Sequence, residues 1–294
     1  MPSPRKYPVF LIDQSIPFMR RVNHYTYDGV RYFRFGYNPI GKPFLFVNVF
    51  FVDGLLIDTG QRNMSRSVMK TISSLEVKQI YLTHHHEDHT GNISVLQRRF
   101  NCGVYASTKC CELMTNPPPI SLAQRMVWGN RPAYHHLIPI IDLLRTPKHT
   151  FQLIPIPGHA EDMVALYEPD KKWLFSGDLF INSYIGYCLQ NERIMQQITS
   201  IRRVLTLPFE TMFCSHNLAT TEGRSWLEKK LSYLEKFYQD VARLYQKGYS
   251  PKEIFNRLDL KEHGGIHLLS HGMLSKMNMV RSVIRDLDKV ANTD

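Results

Sequence analysis

The sequence predicts a layered α/β domain followed by a helical appendage. Three observations carry this: β-prone runs fill the chain up to about Gly60, short strands then alternate with helical spacings, and residues 225–247 hold one long amphipathic pattern.

Taken in order, Val30, Tyr32, Phe33 and Phe35 form a β-rich run closed by Gly36, and residues 44–52 (FLFVNVFFV) form a second. Asp53-Gly54 is a tight hairpin signal, and Leu55-Leu56-Ile57 is the return strand, ending at Asp58-Thr59-Gly60. Residues 65–75 have helical spacing, Gln79-Ile80-Tyr81-Leu82 is a short buried strand, residues 93–100 read as a helix and Gly103-Val104-Tyr105-Ala106 as another strand. Residues 115–134, with Pro117-Pro118-Pro119, read as irregular, and a loop of that length in a compact domain is usually functional or mobile. Strands return at 150–156, 163–167 and 172–175, and Met212-Phe213-Cys214 reads as the last strand. Beyond about Thr220, Leu227, Leu231, Leu234, Phe237, Val241 and Leu244 keep a 3–4-residue spacing that stops at Gly248. Ser250-Pro251-Lys252-Glu253 is a helix start, with a Ser cap, Pro at the first position and acid in the first turn, and residues 272–290 predict a final helix.

Composition sets outer bounds. The 294 residues, 43% hydrophobic and 21% charged, can build a sizeable core without disulfides. Lys and Arg number 36 against 26 Asp and Glu, a formal charge of +10. That charge fits either a solvated basic surface or attraction to an anionic partner such as a phosphoester, an acidic thioester or RNA. The basic residues are scattered, with no run resembling a nucleic-acid arm. Five cysteines (Cys102, Cys110, Cys111, Cys188, Cys214) form no CxxC pair, which argues against a Cys-based zinc site and suits a reducing compartment. The apolar stretch in MPSPRKYPVFLIDQ is too short for a signal-peptide core, and no window approaches the roughly 18 apolar residues of a membrane span. A cytoplasmic protein is expected by elimination.

The chemistry sits in Thr83-His84-His85-His86-Glu87-Asp88-His89-Thr90-Gly91-Asn92, where HxHxDH follows a strand. Imidazoles and carboxylates are borderline-to-hard donors that suit Zn²⁺, Mn²⁺ or Fe²⁺. Gathered on one loop, they repel when protonated and cost desolvation when buried, and a cation offsets both. Three further elements follow, each after a β-rich run: Pro157-Gly158-His159, Ser176-Gly177-Asp178 and Cys214-Ser215-His216. Singly each is weak, since a lone His or Asp at a strand end is more often structural. In order, they form a joint signal.

These residues resemble the metallo-β-lactamase superfamily over roughly residues 44–217, with Asp58, then His84/His86/Asp88/His89, then His159, Asp178 and His216 at the positions of its five motifs. The resemblance implies a four-layer αββα fold, with residues 1–220 as the catalytic domain and residues 221–294 as a helical, winged-helix-like appendage. It implies that His84, His86 and His159 bind one divalent metal and that Asp88, His89 and His216 bind a second. Asp178 would bridge the two ions, zinc in first place with iron or manganese as substitutes. Asp88 and Asp58 are the expected catalytic carboxylates, Asp58 by orienting the histidine loop. His85 and Glu87 occupy variable positions. THHHEDHTGN is similar to the hydroxyacylglutathione hydrolases, whereas Gly158 to Leu166 and the helical tail are similar to the lactamase-β-like proteins; Ala160, followed by Glu161-Asp162, stands where many relatives carry Thr.

The implied chemistry is a metal-bridged hydroxide attacking an ester, thioester or lactone of a small molecule, with an anionic substrate one option. The alternative is a metal-dependent nuclease or phosphodiesterase, which the +10 charge permits but the absence of a long inserted domain disfavours. A di-iron redox protein would need a flavin or rubredoxin module, a non-catalytic scaffold would not need the complete ligand set, and a Ser215–His216 triad lacks a G-x-S-x-G elbow. Trp128, Tyr184 and Tyr187 are candidate pocket walls, and Asn182 a candidate substrate hydrogen-bonder. No membrane partner is expected. The apolar stripe of the long helix must bury on the catalytic domain or on a second copy in a homodimer.

Overall fold

The computed structural model describes residues 20–39, 41–43, 45–262 and 273–291. Residues 1–19, Phe44 and Gly272, which bear on the amino terminus, the second strand and the start of the last helix, lie outside them.

The chain opens with β1 (Arg20–Tyr27), β2 (Val30–Tyr37), β3 (Phe46–Val52) and β4 (Leu55–Ile57), each antiparallel to the next. Asp28 and Gly29 (φ +46°, +82°) turn the first hairpin, and Asp53 and Gly54 (φ +47°, +81°) the third. Two successive left-handed residues twist the connection in the sense of the strands, which is what Asp-Gly supplies. After α1 (Ser65–Ile72), β5 (Gln79–Tyr81) joins β4 in parallel. Then come α2 (Glu87–Thr90), α3 (Ile93–Phe100) and β6 (Gly103–Ala106), followed by α4 (Thr108–Thr115), α5 (Leu122–Val127) and β7 (Ile138–Pro139). The first sheet thus runs β1 to β7 in chain order.

The second sheet takes β8 (Leu143–Arg145), β9 (Thr150–Pro155), β10 (Val164–Glu168) and β11 (Trp173–Phe175). After the short β12 (Cys188–Leu189) and α6 (Ile194–Leu205), β13 (Thr211–Phe213) pairs in parallel with β11. Strand order in this sheet is β13-β11-β10-β9-β8. The tail comprises α7 (Gly223–Gln246), α8 (Pro251–Arg257), β14 (Leu274–Ser275) and α9 (Lys276–Ala291).

Three apolar clusters define four layers. Tyr32, Phe50 and Tyr81 meet Phe151, Trp173, Phe175 and Phe213 between the sheets, with Phe175 and Phe213 stacked at 4.7 Å. Val68, Ile72, Leu96 and Met114 bury α1, α3 and α4 against the outer face of the first sheet. Ile198, Leu227, Leu234, Ile254 and Val283 bring α6 to α9 into one cluster with Leu174 and Met212 of the second. The αββα arrangement expected above is therefore the fold, and the stripe of α7 is buried within its own chain.

Local differences have local reasons. Residues 115–134 hold α5, started by a capping box in which Ser121 and Gln124 serve each other's backbone. The Ser250 and Glu253 side chains form the same device at α8. The tail's described strand, β14, pairs with β12 in the body of the protein. All five cysteines are free, with Cys110, Cys188 and Cys214 buried. Among the described residues no helix is long and apolar enough to cross a membrane.

Candidate metal centre

Parallel pairing brings the chemistry together. Ile57 pairs with Tyr81, so Asp58 and the His84 loop leave neighbouring strands at the same end of the first sheet. Phe175 pairs with Phe213, so Asp178 and His216 each stand three residues past paired strand ends. A bond from Val164 N to Thr83 O, 2.9 Å, ties the two sheets beside the loop. Gly158 (φ +136°) turns the chain into His159, where an added Cβ would lie 2.5 Å from the Gln197 backbone nitrogen.

The structure places six of the expected side chains and Asp178 in two groups, His84/His86/His159 and Asp88/His89/Asp178/His216, whose donor atoms lie within 4.8 Å of one another in each. In the first, His86 Nδ1 is 3.1 Å from both His84 Nε2 and His159 Nε2. In the second, His216 Nε2 is 3.1 Å from Asp178 Oδ2 and 3.5 Å from Asp88 Oδ2. Asp178 also reaches His159 Nε2 at 3.3 Å through Oδ2 and His89 Nε2 at 3.4 Å through Oδ1. It stands between the groups.

The far side of each ring shows which nitrogen is free. Asp58, fully buried, accepts from Thr83 N at 2.9 Å, from the Thr83 hydroxyl at 3.0 Å and from His89 Nδ1 at 2.8 Å. With its one proton given to Asp58, the Thr83 hydroxyl accepts from His84 Nδ1 at 3.0 Å. His216 Nδ1 donates to Phe46 O at 2.8 Å, and His159 Nδ1 faces Glu192 Oε2 at 3.5 Å. Three imidazoles thus spend one nitrogen on an outer acceptor and His159 faces one, so that the other nitrogen of each is turned inward, the arrangement that orients metal-ligating histidines. Converging lone pairs repel unless a cation lies between them. His89 Nε2 and Asp178 Oδ1 are buried and face each other at 3.4 Å without making a hydrogen bond, which leaves both under-satisfied unless an ion lies between them. The residues fit two divalent cations.

Electrostatics follow the carboxylates: at His159 burial opposes charge, but Glu192 and Asp178 outweigh it and raise the imidazole. Burial, with the neighbouring His89 and His86, holds His84 well below the ordinary imidazole range, and burial with His159 does the same to His86. Burial also opposes charge on His89 and His216, but nearby carboxylates outweigh it: Asp88, Asp178 and Asp58 raise His89 well above its usual range, and Asp178 raises His216. At Asp178 burial favours the neutral acid, yet His216 and His89 prevail and hold it well below the usual carboxylate range.

Other supporting residues carry little signal in the sequence. Asp162 accepts from His85 N and faces His85 Nδ1, each at 2.8 Å, so the departure at Glu161-Asp162 has a structural use. Arg131 donates to His85 O at 2.9 Å and to Pro118 O at 2.6 Å and lies 3.6 Å from Glu87, which also accepts from Gln124 on α5. These bonds fasten the 115–134 segment to the histidine loop. Trp128 lies 6.5 Å, ring to ring, from His216. Tyr184 is exposed, its ring 5.5 Å from that of Tyr233, Tyr187 is at the edge of exposure, and Asn182 Oδ1 accepts weakly from Tyr184 N at 3.5 Å. Ser215 Oγ is buried without a hydrogen bond, and His216 is turned toward Asp88 and Asp178, so no triad forms there.

Residues 43–216, more than half of the chain, match the metallo-beta-lactamase superfamily, and the chain belongs to it. It is a hydrolase-family chain with a His/Asp cluster suited to a binuclear metal site. The hydroxyacylglutathione hydrolase of Bdellovibrio bacteriovorus is 29% identical over 145 residues, 49% of this chain and 51% of that protein, so the match spans about half of the relative. The metallo-beta-lactamase from Pontibacter korlensis shares the fold, with TM-score 0.60 and 20% identity over 73% of this chain and 99% of that one. The di-iron-bound form of TTHA1623 is 27% identical, with TM-score 0.51 over 65% of this chain and 94% of that one.

Proposed function

We propose that the protein is a binuclear metal-dependent hydrolase that cleaves an ester, thioester or lactone of a small molecule. His84, His86 and His159 would hold one ion, Asp88, His89 and His216 the other, and Asp178 both. The observation that carries the reading is the inward convergence of lone pairs whose outer nitrogens are already committed, with His89 Nε2 and Asp178 Oδ1 left buried and unbonded. Two such ions supply an acidified water at neutral pH and Lewis-acid polarisation of a substrate oxygen. Asp58 and Thr83 keep the lone pairs of His89 and His84 directed inward, and Glu192 supports His159 in the same way. Zinc is the favoured ion for this donor set; iron suits the same atoms, as TTHA1623 holds a di-iron centre. Residues 1–220 would contribute every ligand and residues 221–294 the appendage.

Two observations favour a small-molecule substrate over a nucleic-acid backbone. Leu122 and Met126 lie exposed on α5, next to Trp128, while Ile181 and Leu218 lie exposed just past Asp178 and His216. A phosphate backbone calls for cations at such positions, whereas an acyl chain or a thioester does not. The hydroxyacylglutathione hydrolase relatives point to thioesters. The test is a panel of p-nitrophenyl esters, thioesters, lactones, bis-p-nitrophenyl phosphate and RNA, each assayed with Zn²⁺, Mn²⁺ and Fe²⁺. Turnover of carbonyl substrates well above phosphodiesters is expected, and the reverse preference would move the protein to the nuclease class.

A further inference from the structure

The buried stripe of α7 contains a lysine. Lys230 lies three residues after Leu227 and four before Leu234, on the face that packs into the core, and it is 3% exposed. A buried ammonium costs several kcal/mol unless it is paired and hydrogen-bonded, so a lysine here, where a leucine would complete the stripe, needs an account. Its Nζ donates to Leu179 O at 2.6 Å, the carbonyl immediately after Asp178. Its principal electrostatic partner is Glu192. Glu192 is itself buried, accepts from Leu189 N at 2.9 Å and Gln197 Nε2 at 2.8 Å, and faces His159 Nδ1 at 3.5 Å. One ammonium therefore touches the backbone of the residue after Asp178 and balances the carboxylate behind His159.

We propose that Lys230 is a positioning residue through which the appendage sets the metal centre: its buried ammonium, bonded to Leu179 O, fixes the Asp178–Leu179 backbone. This rests on the binuclear-metal reading above. It makes the tail part of the site's construction, although among the described residues no tail side chain belongs to the ligand groups. It also gives the charge in the apolar face of α7 a use, since without it Leu179 O loses its buried donor.

The test compares Lys230→Met with Lys229→Met, the same chemical change at the exposed neighbouring position, by chelator-competition titration with Zn²⁺ and by thermal melting of the metal-free and zinc-loaded proteins. Outer-sphere partners of this kind typically change metal affinity about 10–100-fold. Lys230→Met should weaken Zn²⁺ binding by about that factor and shrink the zinc-dependent rise in Tm, while Lys229→Met should match the wild type in both. If Lys230→Met folds poorly, Lys230→Met/Glu192→Gln removes both buried charges together. Read against Glu192→Gln alone, it should bind zinc at least about 10-fold more weakly than that single variant. Wild-type zinc affinity in Lys230→Met, or no loss beyond that of Glu192→Gln in the double variant, with the wild type binding two ions, would overturn this proposal and leave the functional reading standing. A wild type that binds no zinc would overturn both.

Discussion

Asp58→Asn isolates the orienting device from the ligands. The carboxylate is buried and accepts from Thr83 N, the Thr83 hydroxyl and His89 Nδ1. Asparagine keeps the volume and one carbonyl oxygen, so the Thr83 bonds on one side can survive. The other oxygen becomes an NH₂ that cannot accept from His89 Nδ1. The imidazole must then lose its outer bond or change tautomer, and the second choice turns a protonated Nε2 toward Asp88 and Asp178. A hydrogen bond to a charged group contributes about 1.5–3 kcal/mol, or about 10- to 100-fold in affinity, and the loss should fall on the group containing His89. The assay is stepwise zinc titration against a chromophoric chelator, with steady-state hydrolysis of the best substrate alongside. The expected result is one ion bound as in the wild type, one bound about 10–100-fold more weakly, and a rate reduced by a similar factor. Wild-type affinity for both ions would refute the argument that Asp58 acts through His89.

Asp178→Asn removes the negative charge shared by the two groups; metal content should drop below two per chain and the rate should fall by orders of magnitude, and full content with full rate would show that Asp178 does not bridge. Arg131→Met strips the buried Glu87 carboxylate of its cation and His85 O of a donor; urea unfolding should give a loss of about 3–5 kcal/mol, and a loss under about 1 kcal/mol would contradict the pairing. Metal binding should depend on pH unequally. Burial opposes charge on His89 and His216, but carboxylates overcome it and raise both imidazoles of that group, whereas in the other group burial holds His84 and His86 well below the usual range and only His159 is raised, by Glu192 and Asp178. A raised imidazole keeps its proton to higher pH and the ion must displace it, so acidification from about pH 8 to about pH 6 should release the ion beside Asp88 and His89 first. Equal loss from both groups, read by site-resolved titration, would contradict that order.

Local patterns were legible wherever one segment decides its own structure. Asp53-Gly54 specified its turn, the Ser250–Glu253 pair its capping box, and the pattern over residues 225–247 a helix that α7 reproduces within two residues at either end. Asp28-Gly29 carried the same turn signal as Asp53-Gly54, and Ile194, Ile198, Ile201 and Val204 kept a helical spacing; both could have been read. The motif residues were legible because HxHxDH concentrates donors on one loop and the others follow strands. The supports were not. Glu192 reaches His159 only because α6 begins beside Gly158, with Arg193 N bonded to Gly158 O at 2.8 Å. Lys230 reads as one more basic residue until the packing of α7 places it among apolar neighbours. Arg131 sits in a proline-rich stretch whose anchoring depends on Glu87, across 44 residues of sequence. Contacts of this kind are properties of the assembled layers, and no periodicity encodes them.

The account turns on two ions held by two groups, and counting them tests it most directly. The protein is prepared with excess Zn²⁺, freed of loosely bound metal and analysed for metal per chain, beside His86→Ala. The account predicts close to two ions in the wild type and about one in His86→Ala, because the variant loses a donor from the His84/His86/His159 group and leaves Asp88, His89, Asp178 and His216 intact. A wild type that retained no ion after metal-replete preparation, or a His86→Ala variant that still held two as tightly, would contradict it.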